Sequence, residues 1–442
     1  MTTLATPEAA PEAAPTPSAP SSAWALVRLL GALALITGVF LVLGLGDLLL
    51  VLAVIIVMVM VHEFGHFATA KWSHMKVTQY FVGFGPPLWS IRRGETEYGV
   101  KPILAGGYVK IPGMTNLEEI DPVDEPRTYR QQPFHNRIIV ASAGSFMHFV
   151  MAFVLAWIAV VAFGVPGSST VKVAGFVQWP GHERNAAQLG GIHAGDTILA
   201  VNGTKVTDPS ALTSAIQKSP GKPLAVEVRR DGHDTTLSVT PALGYKTTSG
   251  DESLSPVRGA KPIGIIGIES DSGTTFSPEG PFRALGTAGV DVGRITAATV
   301  AGLGHVFSPH GLSSLASQVT SSKAAQSAAA NPQSSGRVMS IVGAARVATQ
   351  AVQAGVLYLL EILIALNIVI GLVNMLPMLP LDGGHVAIAI YERIRTKKGQ
   401  PYYQADAAKL MPVVYAFVSV LIVVVAAAVF LDIAHPVANP FH

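Results

Sequence analysis

The chain contains no cysteine among its 442 residues. Disulfide frameworks, thiolate metal sites, iron–sulfur clusters and a cysteine nucleophile are thereby excluded. Any metal site must draw on His, Asp or Glu. Charge is scarce as well: Asp, Glu, Lys and Arg make up 13% of the chain, against roughly 25% in a soluble domain. The formal net charge of +2 is too small for a nucleic-acid surface, so no nucleic acid partner is expected. Half of the residues are hydrophobic and the mean hydropathy is +0.44. A wholly disordered chain is excluded, and part of the length belongs in lipid.

Residues 1–22 are rich in Ala, Pro, Ser, Thr and Glu and carry no basic residue. They read as a disordered tail, not as the positively charged start of a signal peptide. Five apolar runs follow, each long enough or nearly long enough to span a bilayer: Ala25–Leu45, Leu48–Trp72, Ile138–Phe163, Gly355–Leu376 and Leu410–Leu431. Gly44-Leu45-Gly46-Asp47 separates the first two, which predicts a tight hairpin; the alternative is one long kinked helix. Lys76, Arg92, Arg93, Lys101, Lys110, Arg127 and Arg130 lie between the second and third runs. Arg393, Arg395, Lys397, Lys398 and Lys409 lie between the fourth and fifth. The positive-inside rule puts both loops in the cytoplasm, and alternate threading then makes the segment from Val165 to about Ala354 extracytoplasmic.

That segment has two parts. Residues 168–243 alternate short β-type runs such as Leu224–Gly232 and Thr235–Leu243 with turns, around a helical piece near Ser210–Lys218. From Ser308 to Gly336 the composition of Ser, Ala, Gln and Gly predicts a linker or a weakly helical low-complexity stretch. Ala284–Phe307 is mildly apolar but carries Asp291 and Arg294, which favours an interfacial helix over a sixth span. The expected organisation is a tail at 1–22, a membrane domain at 23–164, an extracytoplasmic α+β domain at 165–250, a linker at 251–354 and a second membrane domain at 355–442.

Within the second run stands His62-Glu63-Phe64-Gly65-His66. On a helix, His62 and His66 lie one turn apart on one face, so both imidazoles reach one ion. Glu63 is placed to take a proton from a metal-bound water. Three ionisable groups in a spanning helix cost several kcal/mol, of order 3 each, unless they face protein and find partners. Catalytic zinc takes three protein ligands, and no other His, Asp or Glu lies in this run near His66. Asp382, in the segment Asn374–His385 that ends the fourth run, is the best candidate. Prolines 377 and 380 stop the helix there, and Gly383 and Gly384 allow close backbone approach. Alone, this segment also reads as a polar helix-ending turn. Beside two histidines lacking a third ligand, it reads as the completion of a His/His/Asp site.

Three stretches together, HEFGH at 62–66, PxxPLDGG within 374–385 and GETEYGVKPILAGGYVKIPGM at 94–114, resemble the bacterial site-2 proteases of the regulator-of-sigma-E type. The resemblance implies a polytopic α-helical membrane protein with a membrane-associated β-hairpin at Gly94–Met114. It implies that His62, His66 and Asp382 bind zinc and that Glu63 is the general base and acid. Asn374, Pro377 and Pro380 match the family segment beside the substrate. The family's Gly-x-x-x-Asn element reads Gly144-Ser145-Phe146-Met147-His148 here, with His148 where Asn is usual and Ser145 where Pro is common. His148 is therefore a candidate hydrogen-bond donor to the transition state, an extra ligand, or a packed histidine. The span before the HEFGH helix is a second departure from the family's four-span pattern. Ala186–Gly203, with its GIHAGD turn and Asn202-Gly203 hairpin signal, resembles a PDZ module, which binds peptide ends by adding a strand.

The function implied is cleavage of single-span membrane proteins, such as anti-sigma factors, in regulated intramembrane proteolysis at the bacterial cytoplasmic membrane. A non-catalytic membrane PDZ adaptor descended from such an enzyme is the alternative. An ion transporter with a broken fourth helix is the third reading, and no matching interrupted helix pair supports it.

Overall fold

The computed structural model describes residues 22–114, 119–179, 184–206, 209–246, 252–256, 261–330, 337–396, 403–437 and 439–441. The expected tail therefore lies outside the described residues, save Ser22, which opens the first helix. The chain divides into two compact units, Met1–Ala152 with Val338–His442, and Phe153–Arg337.

The first unit is built on apolar helices. α1 (Ser22–Val42) and α2 (Gly46–Trp72) are separate helices, because Gly44 at φ +70° turns the chain between them. This agrees with the hairpin reading. α3 (Phe134–Phe163) begins in this unit and continues into the second. α1, α2, α3 and two later helices, five in all among the described residues, are long and apolar enough to cross a membrane.

Between α2 and α3 lies a four-stranded sheet of β1 (Gln79–Phe84), β2 (Trp89–Arg93), β3 (Thr96–Val100) and β4 (Ile103–Lys110), in the order β2-β3-β1-β4. The expected hairpin at Gly94–Met114 is corrected here, since β3 and β4 do not pair. β1 runs between them, parallel to β3 and antiparallel to β4. The amide of Lys101 still bonds to the Val82 carbonyl at 2.8 Å, but Pro102 has no N–H to continue the ladder. The chain then crosses the end of β1 at Gly83, where a Cβ would stand 2.6 Å from the Lys101 carbonyl oxygen. The true hairpin is β2–β3, closed by Gly94 at φ +62°. The Tyr80 hydroxyl donates to the Met60 carbonyl at 3.0 Å and ties the sheet to α2. Glu95 in the hairpin turn bonds Arg127 and Lys71. Hydrogen bonds from Arg127 first, and then Lys71, hold its carboxyl down at about 2.

The unit resumes with α9 (Ile341–Ala354), capped by Ser340, whose hydroxyl accepts from the Gly343 amide. α10 (Val356–Asn374), α11 (Asp382–Arg395) and α12 (Ala407–Ala434) follow. Residues 338–354 thus fold as part of this unit and not as the tail of a linker. α11 is locked to the start of α3 by a buried ion pair, Arg137 Nη2 to Glu392 Oε2 at 2.5 Å, while Glu392 Oε1 accepts from the Ala405 amide at 2.6 Å. Glu392→Ala removes the carboxylate that pairs with buried Arg137 and is expected to lower stability by about 3–5 kcal/mol. Thermal unfolding in detergent measures this; an unchanged midpoint contradicts the lock.

The second unit contains a six-stranded sheet of β5 (Val165–Phe176), β6 (Thr197–Val201), β7 (Thr204–Lys205), β8 (Leu224–Arg230), β9 (His233–Val239) and β13 (Ile268–Ser277). Its order is β13-β5-β6-β8-β9, with β7 on β6. β10 (Ala242–Lys246), β11 (Glu252–Ser253) and β12 (Pro262–Ile265) form a second sheet. Helices α4 (Ala186–Leu189) and α5 (Pro209–Gln217) complete the fold. Val173, Ile198, Leu212, Val226, Val239 and Ile266 share one core. The α+β region therefore reaches Ser277, beyond the expected boundary at 250, because β12 and β13 return to pair with β10 and β5. Asn202 and Gly203, both at positive φ, form the β6–β7 turn. In the GIHAGD turn, burial would raise the Asp196 carboxyl, but Arg230 and the His193 amide hold it below its usual range.

α6 (Pro281–Val306) covers the mildly apolar run and is not among the five spanning candidates. The described part of the expected linker is helical, as α7 (Pro309–Thr320) and α8 (Ser322–Ala330). Ser308 caps α7 by accepting from the Gly311 amide, and the alanines favour helix.

Candidate metal centre

His62 and His66 stand one turn apart on α2, both buried. Asp382 is the first residue of α11, where the chain turns after the Pro377–Pro380 segment. Ligand atoms of these three residues lie within 4.8 Å of one another. His62 Nε2 and His66 Nε2 are 3.3 Å apart. Asp382 Oδ2 is 3.5 Å from His62 Nε2, and Oδ1 is 3.4 Å from His66 Nε2. Two contacts set the chemistry of this cluster. His66 Nδ1 donates to the Val140 carbonyl at 2.7 Å, which leaves Nε2 of the neutral ring with a lone pair. The Ser145 hydroxyl donates to Asp382 Oδ2 at 2.9 Å. Among the described residues no Lys or Arg pairs with Asp382.

The donor set fits zinc. Nitrogen ligands about 2.0–2.1 Å from a tetrahedral ion stand about 3.3 Å from each other, which is the His62–His66 separation observed. Nitrogen lone pair and carboxylate converge with no protein cation between them, and a divalent cation satisfies all three. His66 Nδ1–H on a backbone carbonyl is the usual outer support of a ligating imidazole.

Glycine makes the close packing possible. A Cβ on Gly144 of α3 would stand 2.2 Å from His66 Nε2 and 2.6 Å from His62 Cε1. A Cβ on Gly65 of α2 would stand 2.6 Å from the Ala143 carbonyl oxygen. Small residues thus let the α2 and α3 backbones approach, and Gly144 backs the cluster directly.

Glu63 is half-buried beside β4. The Val109 amide faces its carboxylate, and a Cβ on Gly107 would lie 3.1 Å from Glu63 Cγ. The His148 ring packs against His62 with centroids 5.0 Å apart, but His148 does not join the converging ligand atoms. Asn374 ends α10. Pro377 lines an apolar cavity of about 330 Å³ with Leu379, Ala387 and Val413. Pro380 follows it on the same loop. A second apolar cleft, about 490 Å³, is lined by Trp72, Ala143, Ser145, Phe146, Phe149 and Met375 and reaches the residue bonded to Asp382. In the sequence Gly144 and Ser145 stand out only as motif positions, and no pattern marks the Val140 carbonyl. The one signal for Asn367 is a polar side chain inside an apolar span.

A His/His/Asp cluster on an HExxH helix, in a chain with five helices among the described residues long and apolar enough to cross a membrane, defines a membrane metalloprotease. The family model for peptidase family M50 matches residues 50–421, and the chain belongs to that family, the site-2 proteases. It is 33% identical over 430 residues to the zinc metalloprotease Rip1 of Mycolicibacterium smegmatis, covering 90% of this chain and 98% of that protein. The Mycobacterium tuberculosis zinc metalloprotease Rip1 is 32% identical over 89% of this chain and 98% of its own length. The chloroplastic membrane metalloprotease ARASP of Arabidopsis thaliana is 26% identical, over 79% and 71% of the two chains. The protein is a multi-pass membrane zinc metalloprotease.

Proposed function

We propose that this protease cuts single-span membrane proteins, anti-sigma factors among them, in regulated intramembrane proteolysis at the bacterial cytoplasmic membrane. The observation that carries the reading is the position of the cluster. Two of its ligands sit on a helix apolar enough to span a bilayer, and the third follows another such helix. The peptide bond to be cut must therefore come to the spanning helices.

His62, His66 and Asp382 would hold the metal, and the chemistry supplied by a bound zinc would be a more acidic water molecule and a polarised peptide carbonyl. Glu63 takes the proton of the attacking water and returns it to the leaving amine. Ser145 and the Val140 carbonyl keep Asp382 and His66 oriented. Asn374, Pro377 and Pro380 flank the path of the substrate, and the cleft lined by Trp72, Phe146 and Met375 admits its apolar side chains. A substrate helix must unwind locally to expose its carbonyls. β4 is an edge strand, and its Gly107–Val109 stretch lies against Glu63, so an extended substrate adds to that edge. Gly107→Pro should therefore cut cleavage by about tenfold more than Gly107→Ala, the loss of one backbone hydrogen bond at the edge, with zinc content unchanged; both variants place a carbon 3.1 Å from Glu63 Cγ, and only proline removes the amide. Undiminished cleavage would remove the edge-strand role.

The basic loops between α2 and α3 and after α11 lie in the cytoplasm, and the α+β unit lies outside as a PDZ-like gate that screens substrates and binds peptide ends. Its GIHAGD turn and the Asn202-Gly203 hairpin support the PDZ likeness. Reconstitution of purified protein in lipid vesicles with single-span candidates tests the whole reading. Cleavage within the apolar segment of a candidate supports it. Bound zinc with no cleavage across a panel of anti-sigma factors and remnant signal peptides favours the adaptor.

A further inference from the structure

α10 carries a polar residue at the depth of the site that the mechanism above does not use. Asn367 is fully buried in a mostly apolar helix whose other polar side chains are Tyr358, Glu361 and the terminal Asn374. Its Nδ2 donates to the Leu363 carbonyl at 2.8 Å, and its Oδ1 lies 2.9 Å from His148 Nδ1. Each contact determines the other. A backbone carbonyl only accepts, so the amide NH₂ must face Leu363 and the amide oxygen must face His148. Reversing the amide would set two acceptors against each other at Leu363. An amide oxygen also only accepts, so His148 Nδ1 carries the proton. The neutral ring then bears its lone pair on Nε2. This ring is buried and packs on His62 with centroids 5.0 Å apart, outside the set of converging ligand atoms.

We propose that Asn367 is a positioning residue, which holds His148 in the Nδ1–H tautomer so that His148 meets the reaction at Nε2 as a hydrogen-bond acceptor. The inference rests on the catalytic reading of the His62/His66/Asp382 cluster. Its chemical consequence is specific. An acceptor at Nε2 orients an O–H or N–H group, the attacking water or the scissile amide, and does not donate to the carbonyl oxygen as an asparagine at position 148 would. Among the roles open to His148, the structure thus selects against oxyanion donor. An imidazole without Asn367 populates both tautomers, and in one of them Nε2–H faces the water or amide donor-to-donor.

The test uses the full chain, zinc-loaded, in lipid nanodiscs with ¹⁵N-labelled histidine. Solid-state NMR reads the protonation of each ring nitrogen, and His148→Gln assigns the His148 signals. The expected result is a protonated Nδ1 and an unprotonated Nε2 in the wild type, before any substrate is added. Asn367→Leu should lose this single tautomer and lower kcat about tenfold, the loss of one well-made hydrogen bond, with KM and zinc content unchanged. In a His148→Gln background, Asn367→Leu should have little further effect on kcat. A protonated Nε2 in the wild type overturns the proposal, as does an unchanged tautomer in Asn367→Leu. The wild-type spectrum needs no variant to fold. If instead Glu63→Gln still cleaves, the catalytic reading fails while the tautomer result stands.

Discussion

Glu63→Gln should bind about one zinc per chain and lose cleavage by about 10²- to 10⁴-fold, the usual contribution of a general base. The side chain keeps its size and its place between α2 and β4, while the amide cannot accept a proton. His62, His66 and Asp382 are untouched, since Glu63 is not among the converging ligand atoms. Metal analysis of the purified protein and a time course on a reconstituted single-span substrate read both halves. Zinc retained with cleavage at the wild-type rate would assign the proton transfer to another group. Loss of zinc would make Glu63 a support of the metal site, and the two outcomes separate cleanly.

Gly144→Ala has the second largest expected effect, and it arises from shape alone. The added carbon would stand 2.2 Å from His66 Nε2 and 2.6–2.7 Å from two atoms of the His62 ring, far inside the contact distance of about 3.5–4.0 Å. The methyl group lies against the ring atoms that face the metal. α3 must therefore withdraw from α2, or both imidazoles must swing away. A misplacement of about 1 Å typically costs 10²-fold in rate. Zinc content below one per chain and loss of cleavage are expected together. Gly31→Ala supplies the comparison, since a Cβ there meets nothing within 4 Å. Normal zinc content and activity in Gly144→Ala would show that the helices have slack the packing does not reveal.

The membrane helices were legible in the sequence because their signal is local. About twenty apolar residues with almost no charge are long enough to cross a bilayer, and the five candidate helices coincide with the five apolar runs to within a few residues. The pair His62 and His66 was legible for the same reason: one turn of helix brings them together whatever the rest of the chain does. Asp382 required an inference across more than 300 residues, and it rested on an unfilled ligand position and on the prolines and glycines that interrupt the fourth run.

The sheet was misread where pairing is not local. Strands adjacent in sequence usually pair, and 94–114 looks like a hairpin for that reason. Pro102 ends the β3 ladder, and Gly83 lets the chain pass over β1, so β4 adds to the far side. The same limit hid the end of the α+β unit, whose last strands return to pair with β5 and β10. At 308–330 the helical alternative to a linker is the one that folds, as Pro309–Thr320 and Ser322–Ala330, favoured by a serine cap and by alanine.

By itself the sequence determined the class of the protein. With no cysteine, a metal could be held only by nitrogen and oxygen, and three ionisable groups within one turn of an apolar run are too costly to be idle, which singled out His62, Glu63 and His66. Only the tertiary structure decided how those groups are made to work. Gly144 brings α3 against both rings, Val140 sets the His66 proton, Ser145 steadies Asp382, and Asn367 reaches His148 across 219 residues. These contacts depend on which faces of α2, α3 and α10 meet. That is settled by packing between helices, which no local pattern along the chain encodes.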